Sequence, residues 1–276
     1  MARAYRLPGR VAEAEGALGA ALWDAGCSAL LEDGDDLVAV FGAELDVAVG
    51  ASAPQVPSGG AWESVDERDH VAAYFSGLDA VRVGSVVVAP THRQAVLEAG
   101  QTVVWLDPGM AFGTGHHETT RLALAALADP ALDLRGTRVL DVGSGSGLLA
   151  IAADRLGAAD VLGIDIDPIT LPIARANADL NRSRARFEVA DFAAAPPPQA
   201  SVDVLVANLF AELHEVFMDA YARALAPGGR AFLTGILAGK EDAVEAAIPP
   251  ALRLTRREQE GEWWLLALER VVDGAS

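Results

Sequence analysis

The run Val139-Leu-Asp-Val-Gly-Ser-Gly-Ser-Gly-Leu-Leu149 sets an acidic residue and three alternating glycines between an apolar strand pattern and a helix. Glycines at such a turn let the backbone bend sharply and approach a ligand closely, because no Cβ stands in the way. The amides of the helix N-terminus then face that ligand. Both properties also suit dinucleotides, so spacing must decide. A dinucleotide fingerprint requires its third glycine at position 148, where this chain has Leu; the glycine comes one residue early, at Gly147. Asp141 stands two positions before Gly143, where a carboxylate would repel a pyrophosphate. It could instead orient a cationic amino group, through water or backbone amides. The loop therefore implies a ligand bearing a sulfonium and an amino acid, cradled at Gly143 and Gly145, with Asp141 near its amino end.

Other residues complete this chemistry. Asp165 ends the next strand in Gly163-Ile-Asp-Ile-Asp-Pro168, about 20 residues beyond the glycines, a separation that suits a carboxylate accepting both ribose hydroxyls. Asp167 is placed to cap a helix opening at Pro168. Asp191 follows the third strand, where it either meets an adenine amino group or is a surface loop carboxylate. Asn208, in Val206-Ala-Asn-Leu-Phe-Ala-Glu-Leu213, ends the fourth strand. Its amide carbonyl could accept a hydrogen bond from a substrate amine and aim the nitrogen lone pair at a methyl group; the bland alternative is a turn residue. Methyl transfer is an in-line displacement, so alignment supplies much of the acceleration. The segment Asp107-Pro-Gly-Met-Ala-Phe-Gly-Thr-Gly-His-His-Glu-Thr-Thr120 is dense in Gly and hydroxyl residues before a helix. It reads as a flap whose Phe112 covers the ligand while Thr120 bonds its polar end. His116, His117 and Glu118 lack the helical spacing of metal ligands, so no metal is expected; His116 more naturally caps or packs the loop.

These residues need a particular scaffold. From helix 117–129 onward strands and helices alternate: strand 137–142, helix 147–157, strand 160–165, helix 168–181, strand 185–190, strand 201–207, helix 210–224, strand 229–235 and helix 240–248. Two extended runs near 252–257 and 262–270 close the chain around Gly261. Strands as apolar as Val202-Asp-Val-Leu-Val206 suit a parallel sheet covered on both faces. The pattern predicts a doubly wound, Rossmann-like α/β domain with an antiparallel hairpin at one edge, and this domain is expected to span 96–276. Upstream, strand 3–7, helix 11–25 and a hairpin of 28–32 with 36–41 predict a small α+β module of ferredoxin-like type over residues 1–50. The Pro-, Gly- and Ser-rich stretch Ala51–Gly60 opens a connecting region, 51–95, that includes a helical pattern over 62–80 and a strand over 84–89.

At 276 residues, one catalytic domain plus a smaller one is the natural expectation. The chain is 51% hydrophobic and 22% charged, a globular composition, and no apolar run approaches the roughly 20 residues of a membrane span. The N-terminus shows no signal-peptide core, which points to the cytoplasm. A single cysteine, Cys27, excludes a disulfide framework. The formal net charge of −18 disfavours binding to phosphate backbones and would draw in a basic partner, or it merely keeps an apolar-rich chain soluble.

With the Ala111-Phe-Gly-Thr-Gly-His-His-Glu-Thr-Thr120 segment, Gly-Ile-Asp-Ile-Asp-Pro and Val-Ala-Asn-Leu together, the chain resembles the bacterial ribosomal protein L-11 methyltransferase family from Asp107 to Glu269. The resemblance implies a class I S-adenosylmethionine-dependent protein-lysine methyltransferase. Thr120, Gly143, Asp165 and Asn208 match the family's cofactor-binding positions, and Phe112 lies in the loop that closes over the cofactor. It also implies ribosomal protein L-11 as partner, methylated on lysine ε-amines and its N-terminal α-amine, with the small N-terminal domain recognising it. No direct nucleic-acid or membrane contact is implied, and a monomer is the default. Three rivals remain. A nucleic-acid amino methyltransferase would continue Asn208 with Pro-Pro-aromatic, but Leu209-Phe210-Ala211 follows. A non-catalytic cofactor sensor would not need Asn208, and a nicotinamide oxidoreductase is disfavoured by Leu148.

Overall fold

The structure is a computed structural model that describes residues 2–10, 17–25, 27, 29–33, 35–41, 56–65, 80–91, 95, 97–107 and 117–272. The chain divides into two units, Met1–Leu78 and Asp79–Ser276.

The first unit holds strand β1 (Ala2–Leu7), helix α1 (Ala17–Asp24), β2 (Ala29–Asp33), β3 (Asp36–Phe41) and β4 (Ala61–Val65). Asp33 pairs with Asp36, the antiparallel register expected of a hairpin. The sheet runs β2-β3-β1-β4, and each described pair is antiparallel, which is the ferredoxin-like strand order. Tyr5, Leu7, Leu22, Leu37 and Phe41 form its core.

Here the expected boundaries need correction. Residues 61–65 are a strand, not the start of a helix over 62–80, and the first unit extends past residue 50. Pairing with β1 overrides the local pattern, because Trp62 gains ring contacts with Tyr5 and Phe41, each at a centroid distance of 5.0 Å. The Tyr5 hydroxyl donates to Pro57 O and accepts from Gly60 N–H, which ties the approach to β4 onto β1. Residues 66–79 of the expected helix, and 11–16 at the start of the other one, lie outside the described residues.

The second unit begins earlier than residue 96. Strands β5 (Val81–Val83), β6 (Val86–Pro90) and β7 (Thr102–Leu106) form a three-stranded sheet. Then follow α2 (Glu118–Leu127), β8 (Arg138–Val142), α3 (Leu148–Arg155), β9 (Asp160–Asp165), α4 (Thr170–Leu180), β10 (Arg186–Val189), β11 (Val202–Asn208), α5 (Ala211–Ala224), β12 (Leu225–Leu237), α6 (Glu241–Ala246), β13 (Leu252–Glu260) and β14 (Trp263–Arg270). Their seven-stranded sheet has the order β10-β9-β8-β11-β12-β14-β13. The strands from β10 to β12 are parallel, and β14 inserts antiparallel between β12 and β13. This is the doubly wound domain with an antiparallel edge that the pattern predicts.

Apolar strands bury both faces by alternation. Val139, Val204, Val206, Phe232 and Leu265 enter one core with α2 and α3. Leu140, Leu205, Leu233 and Leu266 enter the other with Met218 and Tyr221 of α5. The strand order reverses between β8 and β11, so a crevice opens at their carboxyl ends. No helix among the described residues is long and apolar enough to cross a membrane.

Candidate functional site

A cleft of about 370 Å³ occupies that switch point, within the size range of small-ligand sites. Gly143, Ser144, Gly145 and Ser146 of the loop after β8 form its floor. Asp165 and Ile166 line it from the end of β9, Ala190 to Phe192 from the end of β10, Asn208 and Leu209 from the end of β11, and Thr120 from α2.

The glycines are needed where the sequence places them. Gly143 has φ 75°, and a Cβ there would lie 2.5 Å from Leu209 Cδ2. Gly147 has φ 82°, and a Cβ would meet the Phe187 ring at 2.8 Å. The loop is pinned from outside, since the N–H groups of Gly143 and Ser144 both donate to Ile164 O. Asp165 adds a clamp: its Oδ2 accepts from Gly145 N at 2.8 Å and its Oδ1 from Asp167 N at 3.0 Å. Each carboxylate oxygen keeps a further lone pair, so Asp165 both holds the loop and can receive hydroxyls from the cleft.

Asp141 is placed differently from the expectation. It is fully buried, lies under the loop, and is not part of the cleft lining. In a strand, Asp141 shares a face with Val139, the face that α3 covers. Its Oδ2 accepts from Ala150 N at 3.1 Å. The α3 N-cap is Gly147, which makes no side-chain cap, so Asp141 supplies from β8 the carboxylate that satisfies a first-turn N–H. Its hydrogen bond is with the helix end. Burial pushes its carboxyl up to about 7, against the pull of the Ala150 N–H and with a smaller push from Asp165.

Asp191 sits at the cleft in a turn of its own making. It lines the cleft, and its Oδ1 accepts from Ala193 N and Ala194 N, the pattern of a turn-capping carboxylate. Asp167 caps a turn rather than the helix itself: its Oδ1 accepts from Ile169 N, and α4 starts only at Thr170. Phe112 and His116 lie outside the described residues. His117 is the α2 N-cap.

Asn208 is half-buried at the cleft edge. Its Nδ2 donates to Thr119 Oγ1 at 3.1 Å, leaving Oδ1 without a hydrogen bond among the described residues. The Thr120 hydroxyl is buried in the cleft wall with no partner among the described residues, an orphan that a polar ligand end would satisfy. With the glycine cradle and the Asp165 carboxylate, these groups fit a nucleoside joined to an amino acid. Beneath Asn208, His214 is buried and its Nε2 lies 2.9 Å from Thr234 O. Burial pushes its pKa down to about 4, so it is a neutral support.

Sequence reasoning missed Thr119, Asn177 of α4 and its C-cap Asn181. Asn181 Oδ1 accepts from Trp105 N at 2.7 Å, and its Nδ2 donates to Trp105 O. Asn177 Oδ1 accepts from Asp107 N while its Nδ2 donates to Ser146 O. Together they tie β7 to the glycine loop. The available signal was two amides four residues apart on one helix face.

Comparison with known proteins gives concordant matches. The family model described as ribosomal protein L11 methyltransferase (PrmA) matches residues 21–271. The ribosomal protein L11 methyltransferase of Thermus thermophilus is 45% identical over 96% of this chain and 99% of its own length. That of Deinococcus radiodurans is 42% identical over 96% of this chain and 98% of its own. Among solved structures, a ribosomal protein L11 methylase from Lactobacillus delbrueckii subsp. bulgaricus superposes with a TM-score of 0.63 at 27% identity, covering 70% of this chain and 98% of that one.

Proposed function

The chain belongs to the ribosomal protein L11 methyltransferase family, and on that premise we propose that it moves methyl groups from S-adenosylmethionine to amines of ribosomal protein L11. The amines in this reading are lysine ε-amines and the N-terminal α-amine. The observation that carries it is Asn208 in the lining of the cleft that the glycine loop closes, its Nδ2 held by Thr119 and its Oδ1 without a hydrogen bond among the described residues.

When bound, S-adenosylmethionine supplies an electrophilic methyl on a positively charged sulfur. The chain's own residues do the rest. Thr120 holds the polar amino-acid end, Gly143 and Gly145 admit it closely, and Asp165 receives the ribose hydroxyls. Asp191 lies at the base end, while Ile166 and Phe217 are among the apolar walls. Asn208 Oδ1 accepts an N–H of the incoming amine, which turns the nitrogen lone pair toward the methyl carbon. Alignment of this kind replaces much of the entropy cost of a bimolecular displacement. The amine must arrive neutral although a free lysine has a pKa near 10.4; desolvation and the nearby positive sulfur both favour the neutral form.

The first unit, in this reading, recognises the ribosomal protein, and the formal charge of −18 speeds encounter with a basic substrate. The protein works in the cytoplasm as a monomer. Asn208→Ala tests the reading: donor affinity by calorimetry stays within a few-fold, while kcat for methyl transfer falls at least about a hundredfold. Unchanged turnover would remove Asn208 from the mechanism.

A further inference from the structure

An asparagine side chain has two faces of opposite polarity, and only one suits the role just described. Oδ1 toward the amine accepts its N–H. With the amide turned over, Nδ2 would point a donor at the amine and leave the lone pair unaimed. Something must choose between these orientations, and Asn208 is only half-buried, so packing alone is a weak restraint.

The choice is made by a short run of hydrogen bonds from α2. Thr119 is 2% exposed, and its Oγ1 accepts from Asn208 Nδ2 at 3.1 Å. The same Oγ1 lies 2.8 Å from His117 Nδ1. Thr119's own backbone N–H donates to that nitrogen at 3.3 Å. A ring nitrogen that accepts a main-chain N–H carries no proton. The hydrogen between Thr119 and His117 therefore belongs to the hydroxyl, which donates toward Nδ1. With its one hydrogen so committed, Thr119 Oγ1 can only accept from Asn208. An acceptor facing Asn208 binds Nδ2 and sends Oδ1 the other way.

His117 is held for this purpose by its place in the chain. It is the α2 N-cap, with φ −70° and ψ 143°, so its ring folds back over the first turn. The edge of the ring meets Trp263 of β14 at a centroid distance of 5.1 Å. Neither His117 nor Thr119 lines the cleft.

We propose that Thr119 and His117 are positioning residues that set the polarity of the Asn208 amide, so that Oδ1 and not Nδ2 meets the substrate amine. The inference rests on the reading of Asn208 as the amine-orienting group. It adds that the orientation is imposed from α2 through a hydroxyl whose proton is committed to His117.

The test is a double-mutant cycle on the full-length protein, with unmethylated ribosomal protein L11 as substrate. Thr119→Val keeps shape and removes the hydroxyl; Thr119→Ser keeps the hydroxyl. Thr119→Val is expected to lower kcat about tenfold to a hundredfold, as loss of an outer partner does for an oriented metal ligand. KM for the substrate, donor affinity and melting temperature should hold within a few-fold or a few degrees. Thr119→Ser should restore most of the rate. His117→Asn retains an acceptor at the cap and should stay near wild type, whereas His117→Leu should follow Thr119→Val. In an Asn208→Ala background Thr119→Val should cost nothing more, because the group it orients is gone. Full turnover in Thr119→Val, or a loss that adds in full to that of Asn208→Ala, would overturn the proposal. A wild-type protein that transfers no methyl to ribosomal protein L11 would instead sink the functional reading beneath it.

Discussion

Asp141 and Asn208 both belong to strand ends beside one cleft, yet they face different tasks. Asn208 lines the cleft, where the proposed reading brings the substrate amine; Asp141 looks inward to a helix end. The difference has a measurable consequence, because Asp141 carries its carboxyl into a fully buried site, where burial pushes its pKa up from 3.8 to about 7. Between those two values the folded protein holds more protons than the unfolded chain, so stability falls as pH rises through the window. His214 has the opposite slope: burial pushes it from 6.5 down to about 4, so its contribution is lost as pH falls through that range. Asp141→Asn removes the first slope and leaves the second. The donor-free variant should therefore lose less melting temperature than wild type between pH 5 and pH 8. Parallel curves for the two proteins would show that Asp141 is not the titrating group. At this scale the place of Gly143, Gly145, Asp165 and Asn208 in the cleft lining was legible from sequence, because strand ends and glycine loops are read from pattern. The inward aim of Asp141 follows from its parity with Val139, a signal present in the sequence but outweighed by its nearness to the glycines. Which of two adjacent threonines faces Asn208 depends on the roll of α2 and has no local signal.

Elements carry the site by bonding to each other's exposed backbone. Among the described strands β7 pairs with β6 alone, and Asn181, the C-cap of α4, takes both the N–H and the C=O of Trp105 on it. Removing that amide leaves two half-buried main-chain groups without partners, at about 1–3 kcal/mol each. For a unit of this size 1 kcal/mol is worth roughly 2–4 °C. Asn181→Ala should thus lower the melting temperature by several degrees and raise hydrogen exchange at Trp105; an unchanged melt and unchanged protection there would contradict the tie. Periodicity located the elements from α2 to β14 because buried parallel strands and amphipathic helices alternate without ambiguity. It failed at β4, where Ala-Trp-Glu-Ser-Val borrows its conformation from β1 and not from its own pattern. It also began β12 late, at 229: Pro227 and Gly228 interrupt the apolar pattern, but the strand starts at Leu225 and absorbs them in a register shift opposite Val202 and Val204.

Across the whole molecule, sequence and structure converge on a two-unit protein whose second unit holds every described residue of the cleft. The acidic charge, the ferredoxin-like sheet and the methyltransferase sheet could each serve other ends. Family membership narrows them to one reading, in which a basic ribosomal protein brings its amines to Asn208. The exchange of methyl groups between S-adenosylmethionine and ribosomal protein L11 is the claim on which the rest stands. The direct measurement is the intact mass of unmethylated ribosomal protein L11 after incubation with the purified full-length protein and S-adenosylmethionine. The predicted result is a ladder of added methyl masses, localised on fragmentation to lysine side chains and the N-terminal residue. An unchanged mass, from a protein that takes up a nicotinamide nucleotide and ignores the methyl donor, would contradict it.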